Sequence, residues 1–206
     1  MTNIIIFGDS ITWGAVDEEM GGWAERLKTS LSYKDANISK DIDVYNCGVS
    51  GDNTADLLKR FEIEAKARLG DTRTIIIFAI GINDSKFIPS KNTNRVARKD
   101  FEKNLVKLCR KAKQFTDEII FLGLTRIDDS KTTSSARHKD SELRTVFVKE
   151  YDSMIQKVCK DHKLPYIPVY DELQLDDLYD GLHPNTKGHK KISRKVEKYL
   201  KSGKYI

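Results

Sequence analysis

Residues 73–84 read Arg73-Thr74-Ile75-Ile76-Ile77-Phe78-Ala79-Ile80-Gly81-Ile82-Asn83-Asp84. The run from Arg73 to Ile80 is strand-length and β-branched, and it shows none of the alternation of a strand with one wet face. It reads as a strand covered on both sides. A glycine ends it, and an amide and a carboxylate follow. The segment Asn3-Ile4-Ile5-Ile6-Phe7-Gly8-Asp9-Ser10 has the same construction. Working outward, Val44–Cys47, Glu118–Leu124 and Pro165–Val169 are further strand candidates, the last weakened by its two prolines. Helical periodicity fills the intervals, at about Gly22–Tyr33, Thr54–Leu69, Val96–Phe115, Ser141–Lys163 and Thr186–Lys201. In the second of these, Leu57, Leu58, Phe61, Ala65 and Leu69 form a stripe, with Asn53 or Thr54 as N-cap.

Apolar strands alternating with helices imply an α/β fold, a three-layer α/β/α sandwich around about five parallel strands. Ligands of such folds bind beyond the carboxyl ends of the strands. The polar motifs stand there: Gly8-Asp9-Ser10 after the first strand, Gly48 after the second, Asn83-Asp84 after the third. Two stretches read as loops over that edge, the polar Phe87–Arg95 with Pro89, and Ile127–Asp140, a candidate lid rich in Ser, Thr, Lys and Asp.

The bulk properties fit one domain of 206 residues, 33% charged and 39% hydrophobic, long enough to bury a core unaided. The apolar runs fall far short of the roughly 20 residues of a membrane span. Met1-Thr2-Asn3 has no basic n-region of a signal peptide. Cys47, Cys109 and Cys159 are odd in number, without metal-finger spacing, and read as free thiols. These features point to a cytoplasmic protein with no membrane span and no metal. The net charge is +5, and the segment from Lys187 holds eight cations against Glu197. It reads either as an anionic-surface or nucleic-acid binding face or as the solvated side of a terminal helix whose apolar side is Ile192, Val196, Tyr199 and Leu200. No aromatic-basic interleaving supports the former, so no nucleic-acid partner is expected.

A serine hydroxyl needs a base to take its proton and donors to hold the oxyanion. Ser10 lies just past a buried strand end. A short helical turn starting there would present free N–H groups, although Asp9-Ser10 alone fits a simple cap equally well. Gly48 offers a backbone N–H with no Cβ in the way. Asn83 offers a neutral amide. In Asp180-Gly181-Leu182-His183-Pro184-Asn185 a carboxylate precedes a histidine by three residues, a spacing that lets Asp180 hold Nδ1 while Nε2 faces the serine.

With these four blocks in order from Gly8 to His183, the sequence resembles the GDSL lipase/esterase family, the SGNH hydrolases. The resemblance implies a flavodoxin-like topology and cleavage of carboxylic esters of small molecules without a cofactor. By it Ser10 is the nucleophile and an oxyanion donor, Gly48 and Asn83 are the other donors, and Asp180 and His183 complete the triad. Ile11 stands where the family name has leucine. The run through Trp13 also resembles the arylesterase and thioesterase-like branches, too weakly to fix a substrate.

Asp9, Trp13, Phe87 and Ile88 are candidates to line a substrate pocket, with core packing as the competing role. His138 reads as a solvated loop histidine, His162 as compensation of a helix end, and His189 as internal to the last helix. Cys47 reads as a small buried residue at a strand end. Gly48-Val49-Ser50-Gly51 lacks the G-x-S-x-G elbow, and Gly8 to Gly14 lacks the dinucleotide fingerprint. The rival to an enzyme is a non-catalytic binding module on the same fold. Oligomeric state is not legible.

Overall fold

The computed structural model describes residues 1–32, 42–133 and 140–206. Along the chain run β1 (Thr2–Gly8), α1 (Ser10–Trp13), α2 (Trp23–Ser32), β2 (Ile42–Gly48), α3 (Thr54–Lys66), β3 (Arg73–Ala79), β4 (Phe87–Ile88) and β5 (Thr93–Asn94). They are followed by α4 (Arg98–Ala112), β6 (Ile119–Leu122), α5 (Asp129–Thr132), α6 (Thr145–His162), β7 (Tyr166–Ile167) and α7 (Thr186–Ser202). Tyr33 and His138 lie outside the described residues, as does the middle of the lid-like stretch.

Five strands form one parallel sheet in the order β2-β1-β3-β6-β7. Counted within the sheet this is 2-1-3-4-5, the flavodoxin-like order. Ile4 to Phe7 and Ile75 to Phe78 have no exposed surface, because β1 and β3 are internal and covered on both faces. β2 is an edge strand, and its burial is broken at Asp43, Tyr45 and Asn46. Helices flank the sheet in two groups, α2 packed on α7, and α3 on α4 with α4 on α6. Aromatic rings run across the core, Phe7 to Phe61 at 4.9 Å between centroids, Phe61 to Phe78 at 5.4 Å, and Phe78 to Phe121 at 5.1 Å. Each such pair contributes about 0.5–1.5 kcal/mol beyond area burial.

Register sets the site. Gly8 lies beside Gly48 on one side and Ala79 on the other, so three strands end at one level. The expected loop at 87–95 is instead a small antiparallel hairpin, β4 with β5. Glu142 pairs with Phe87 and extends it. That pairing explains why α6 starts at Thr145 rather than Ser141. Likewise Val96 donates its N–H to the Asp84 carbonyl, which delays α4 to Arg98.

Cys47, Cys109 and Cys159 are free and buried. Burial pushes their thiols up to about 12, 11 and 12. On α7, Ile192, Val196 and Leu200 are fully buried. Four of the eight basic residues carry acidic partners: Lys187 with Asp176, Lys191 with Asp177, Lys195 with Glu172 and Lys201 with Glu197. That pattern is the solvated face of an amphipathic helix. Among the described residues no helix is long and apolar enough to cross a membrane.

Candidate active site

The turn after β1 places Ser10. Asp9 is extended and caps α1, its Oδ1 accepting the Ile11 N–H at 3.0 Å. Ser10 is the first helical residue, where an N–H has no intrahelical acceptor, and it is 5% exposed. Gly8 has to be glycine: a Cβ there would lie 2.6 Å from the Ala79 carbonyl oxygen and 2.1 Å from Thr12 Oγ1. Asp9 itself is 2% exposed, and burial raises its carboxyl to about 7 against the pull of the Ile11 hydrogen bond and of His183. Asp9 caps the turn and also lines a small cavity with Thr12, Ala79 and Leu124.

Asp180 and His183 come from a loop between β7 and α7. Asp180 Oδ1 accepts the N–H groups of Leu182 at 3.0 Å and His183 at 2.8 Å. Its Oδ2 lies 2.7 Å from His183 Nδ1, and His183 Nε2 lies 2.9 Å from Ser10 Oγ. Partial burial would raise the Asp180 carboxyl, but the hydrogen bonds from His183 outweigh it and hold the group well below the usual carboxylate range. The ring thus has Nδ1–H on the carboxylate and Nε2 free to accept from the serine.

Three contacts hold the start of α7, which follows this loop, against the segment after Ser10. Asp17, just after α1, accepts from Thr186 Oγ1 at 3.0 Å while Arg26 grips it at 2.7 and 2.8 Å. Buried His189 accepts the Trp23 N–H at Nδ1, 3.2 Å away, and Nε2 faces the Ala15 carbonyl at 3.0 Å. The imidazole is therefore neutral with its proton on Nε2, and burial lowers its pKa. The first turn of α7 is in this way joined to both ends of the segment that follows Ser10.

The Gly48 N–H, an expected oxyanion donor, is not free: it is bound to Asn46 Oδ1 at 3.0 Å. Its Cα packs on the Trp13 backbone, where a Cβ would be 2.2 Å from the nitrogen. Its glycine serves that close approach. Three residues on, Gly51 has φ +85°, and a Cβ there would meet nothing within 4 Å. No described residue accepts its N–H. Asn83 is 2% exposed and donates one amide hydrogen to the Asp52 carbonyl at 2.9 Å, leaving the second free. In the sequence, the one hint of Gly51 is a glycine standing between Ser50 and Asp52, where a turn needs a left-handed residue.

Trp13 is 58% and Tyr179, beside Asp180, 67% exposed. Trp13 lines an open cleft of about 570 Å³ with Val16, Glu18, Glu25 and Asn46, and Tyr179 lines another of about 510 Å³ with Glu19, Asn185 and Lys187. Phe87 stacks on Phe147 at 5.2 Å with Arg144 over its ring, and neither it nor Ile88 lines these clefts; both belong to the hairpin.

A family model, the GDSL-like Lipase/Acylhydrolase family, matches residues 6–191. The chain belongs to this family. Proteins of known structure resemble it over nearly its whole length. A lipase/acylhydrolase from Enterococcus faecalis is 24% identical, covering 98% of this chain and 96% of its own, with a TM-score of 0.75. A member of the lipolytic G-D-S-L family from Veillonella parvula is 22% identical, covering 98% and 99%, at 0.74. A catalytic mutant of Axe2, an acetylxylan esterase from Geobacillus stearothermophilus, is 20% identical, covering 95% and 92%, at 0.71. Their likeness establishes the α/β fold, and GDSL-like membership places the chain among hydrolases of esters.

Proposed function

We propose that this protein hydrolyses small carboxylic esters through an acyl-enzyme on Ser10. The observation that carries the reading is the chain Ser10 Oγ–His183 Nε2 at 2.9 Å and His183 Nδ1–Asp180 at 2.7 Å, at the end of β1. His183 takes the hydroxyl proton as Oγ attacks the ester carbonyl. The oxyanion is held by the N–H groups of Ser10 and Gly51 and by the free Asn83 amide hydrogen. Collapse of the tetrahedral intermediate breaks the bond to the alcohol, which leaves with the proton from His183. Water, deprotonated by the same ring, then releases the acid. Asp180 orients the imidazole and stabilises its cation.

The clefts are open and carry charged and amide side chains, among them Glu18, Glu25, Asn46 and Lys187, beside their apolar surface, which favours a short acyl group on a polar alcohol. Exposed Trp13 and Tyr179 offer faces on which a sugar ring packs, and one structural neighbour is an acetylxylan esterase. Wild-type protein should react with a fluorophosphonate at Ser10 and cleave p-nitrophenyl acetate far faster than the palmitate. Ser10→Ala should lose labelling and reduce kcat on the order of 10⁶-fold, with an unchanged melting temperature. Retention of esterase activity by Ser10→Ala would refute the assignment.

A further inference from the structure

The oxyanion donors sit on three separate backbone segments, and one side chain ties their supports together. Arg60 projects from α3 beneath the carboxyl edge of the sheet, 18% exposed. Its Nη2 donates to the Gly8 carbonyl at 3.1 Å, Nη1 to the Cys47 carbonyl at 3.0 Å, and Nε to Asp52 Oδ2 at 2.7 Å. A further Nη1 hydrogen reaches Glu64 at 2.9 Å. Four of the five guanidinium hydrogens are engaged.

Each bond has a distinct consequence. Gly8 ends β1 and Cys47 is the last residue but one of β2, and carbonyls near the end of a parallel ladder must find partners beyond it. Gly8 is two residues before the nucleophile. Asp52 follows Gly51, and its carbonyl aims the Asn83 amide. The turn that carries Gly51 has little else to hold it, since its one internal backbone bond runs from the Asp52 N–H to the Val49 carbonyl at 3.1 Å. Val49 is tied back to Gly8 at 3.0 Å.

We infer that Arg60 is a positioning residue for the oxyanion hole: it locks the Gly51–Asp52 turn to the ends of β1 and β2, so that donors from Ser10, Gly51 and Asn83 converge. This rests on the ester-hydrolase reading. The flat, forked guanidinium is required because two carbonyls and a carboxylate are bound in different directions, which the point charge of lysine cannot reproduce.

Arg60→Lys and Arg60→Met, with Arg68→Met as a control that loses a cation bonded only to Glu64 among side-chain and carbonyl acceptors, test the inference well below their melting temperatures. Both Arg60 variants should lower kcat for p-nitrophenyl acetate about ten- to a hundredfold, with KM within about twofold. Hydrogen exchange of residues 49–53 should accelerate in Arg60→Met while β3 stays protected. Lysine should recover less than half of the lost kcat. Wild-type kcat together with wild-type exchange at 49–53 in Arg60→Met would overturn the inference. A wild-type protein inert to fluorophosphonate would instead refute the ester-hydrolase reading, and the exchange measurement would still judge the clamp.

Discussion

The two halves of the site are positioned by different physics. Ser10 and Asn83 follow inner strands of the sheet, flanked by side chains with no exposed surface, and Arg60 and the strand register align them over long sequence separations. Asp180 and His183 sit on an irregular loop and are held mainly by bonds within residues 177–185: Asp180 to Leu182 and His183, Tyr179 N–H to the His183 carbonyl at 2.8 Å, and Asn185 N–H to the Asp177 carbonyl at 2.8 Å. The first half shares the stability of the core; the second rests mainly on short-range bonds. Ser10 is thus placed by the fold, and His183 by a loop docked on it.

Substitutions can break this contrast at graded cost. Asp180→Asn should have the largest effect after loss of the nucleophile, lowering kcat about 10³–10⁴-fold by turning the ring to the wrong tautomer. Because the loop is local, melting temperature should move little, which calorimetry beside steady-state kinetics would show. Asn83→Ala should cost about 10²–10³ in kcat and, unlike Asp180→Asn, also lower the melting temperature, since the amide holds the Asp52 carbonyl. Equal melting temperatures for the two variants would erase the distinction.

Gly181→Ala probes the loop's anchor on the Asp128–Lys131 segment. The residue has φ +90°, a Cβ would lie 2.7 Å from Lys131 Cβ, and its carbonyl accepts the Asp128 N–H at 2.8 Å. The left-handed backbone alone costs about 1–2 kcal/mol. Hydrogen exchange should rise at 178–184 and stay unchanged in β1 and β3. The smallest effect concerns His189, neutral and buried where α7 meets the Ala15–Trp23 segment. Its pKa is lowered in the folded state, so below the ordinary histidine value the unfolded chain binds the extra proton. Stability is then present above about 6.5 and falls as pH drops through the depressed folded value, at most on the order of 1 kcal/mol per pH unit. Denaturant titrations from pH 7.5 to 5 should show a shallower fall in His189→Gln.

What can be read from the sequence follows the same division. Strand interiors are legible because residues such as Ile75–Phe78 are apolar on both faces, and so is the carboxyl edge where Ser10 and Asn83 stand. Asp180 and His183 are legible because their relation is local, three residues apart. Gly48 misleads for a reason visible only in three dimensions. β2 runs on through Gly48, whose N–H meets Asn46 and whose Cα meets Trp13, so the free donor moves to Gly51. The β4–β5 hairpin escapes because two-residue strands have no period, and the role of Arg60 because its partners are backbone carbonyls 52 and 13 residues away.

The three cysteines turn the same core into a gauge. Cys47 lies on β2, Cys109 on α4 and Cys159 on α6, each sealed and with its thiol raised well above neutrality. Alkylating reagents need thiolate and access, so the folded chain offers them no target at neutral pH. Opening any of these three elements uncovers one. Mass spectrometry after brief alkylation therefore reports which part of the molecule came apart, with no label introduced and Ser10 left untouched.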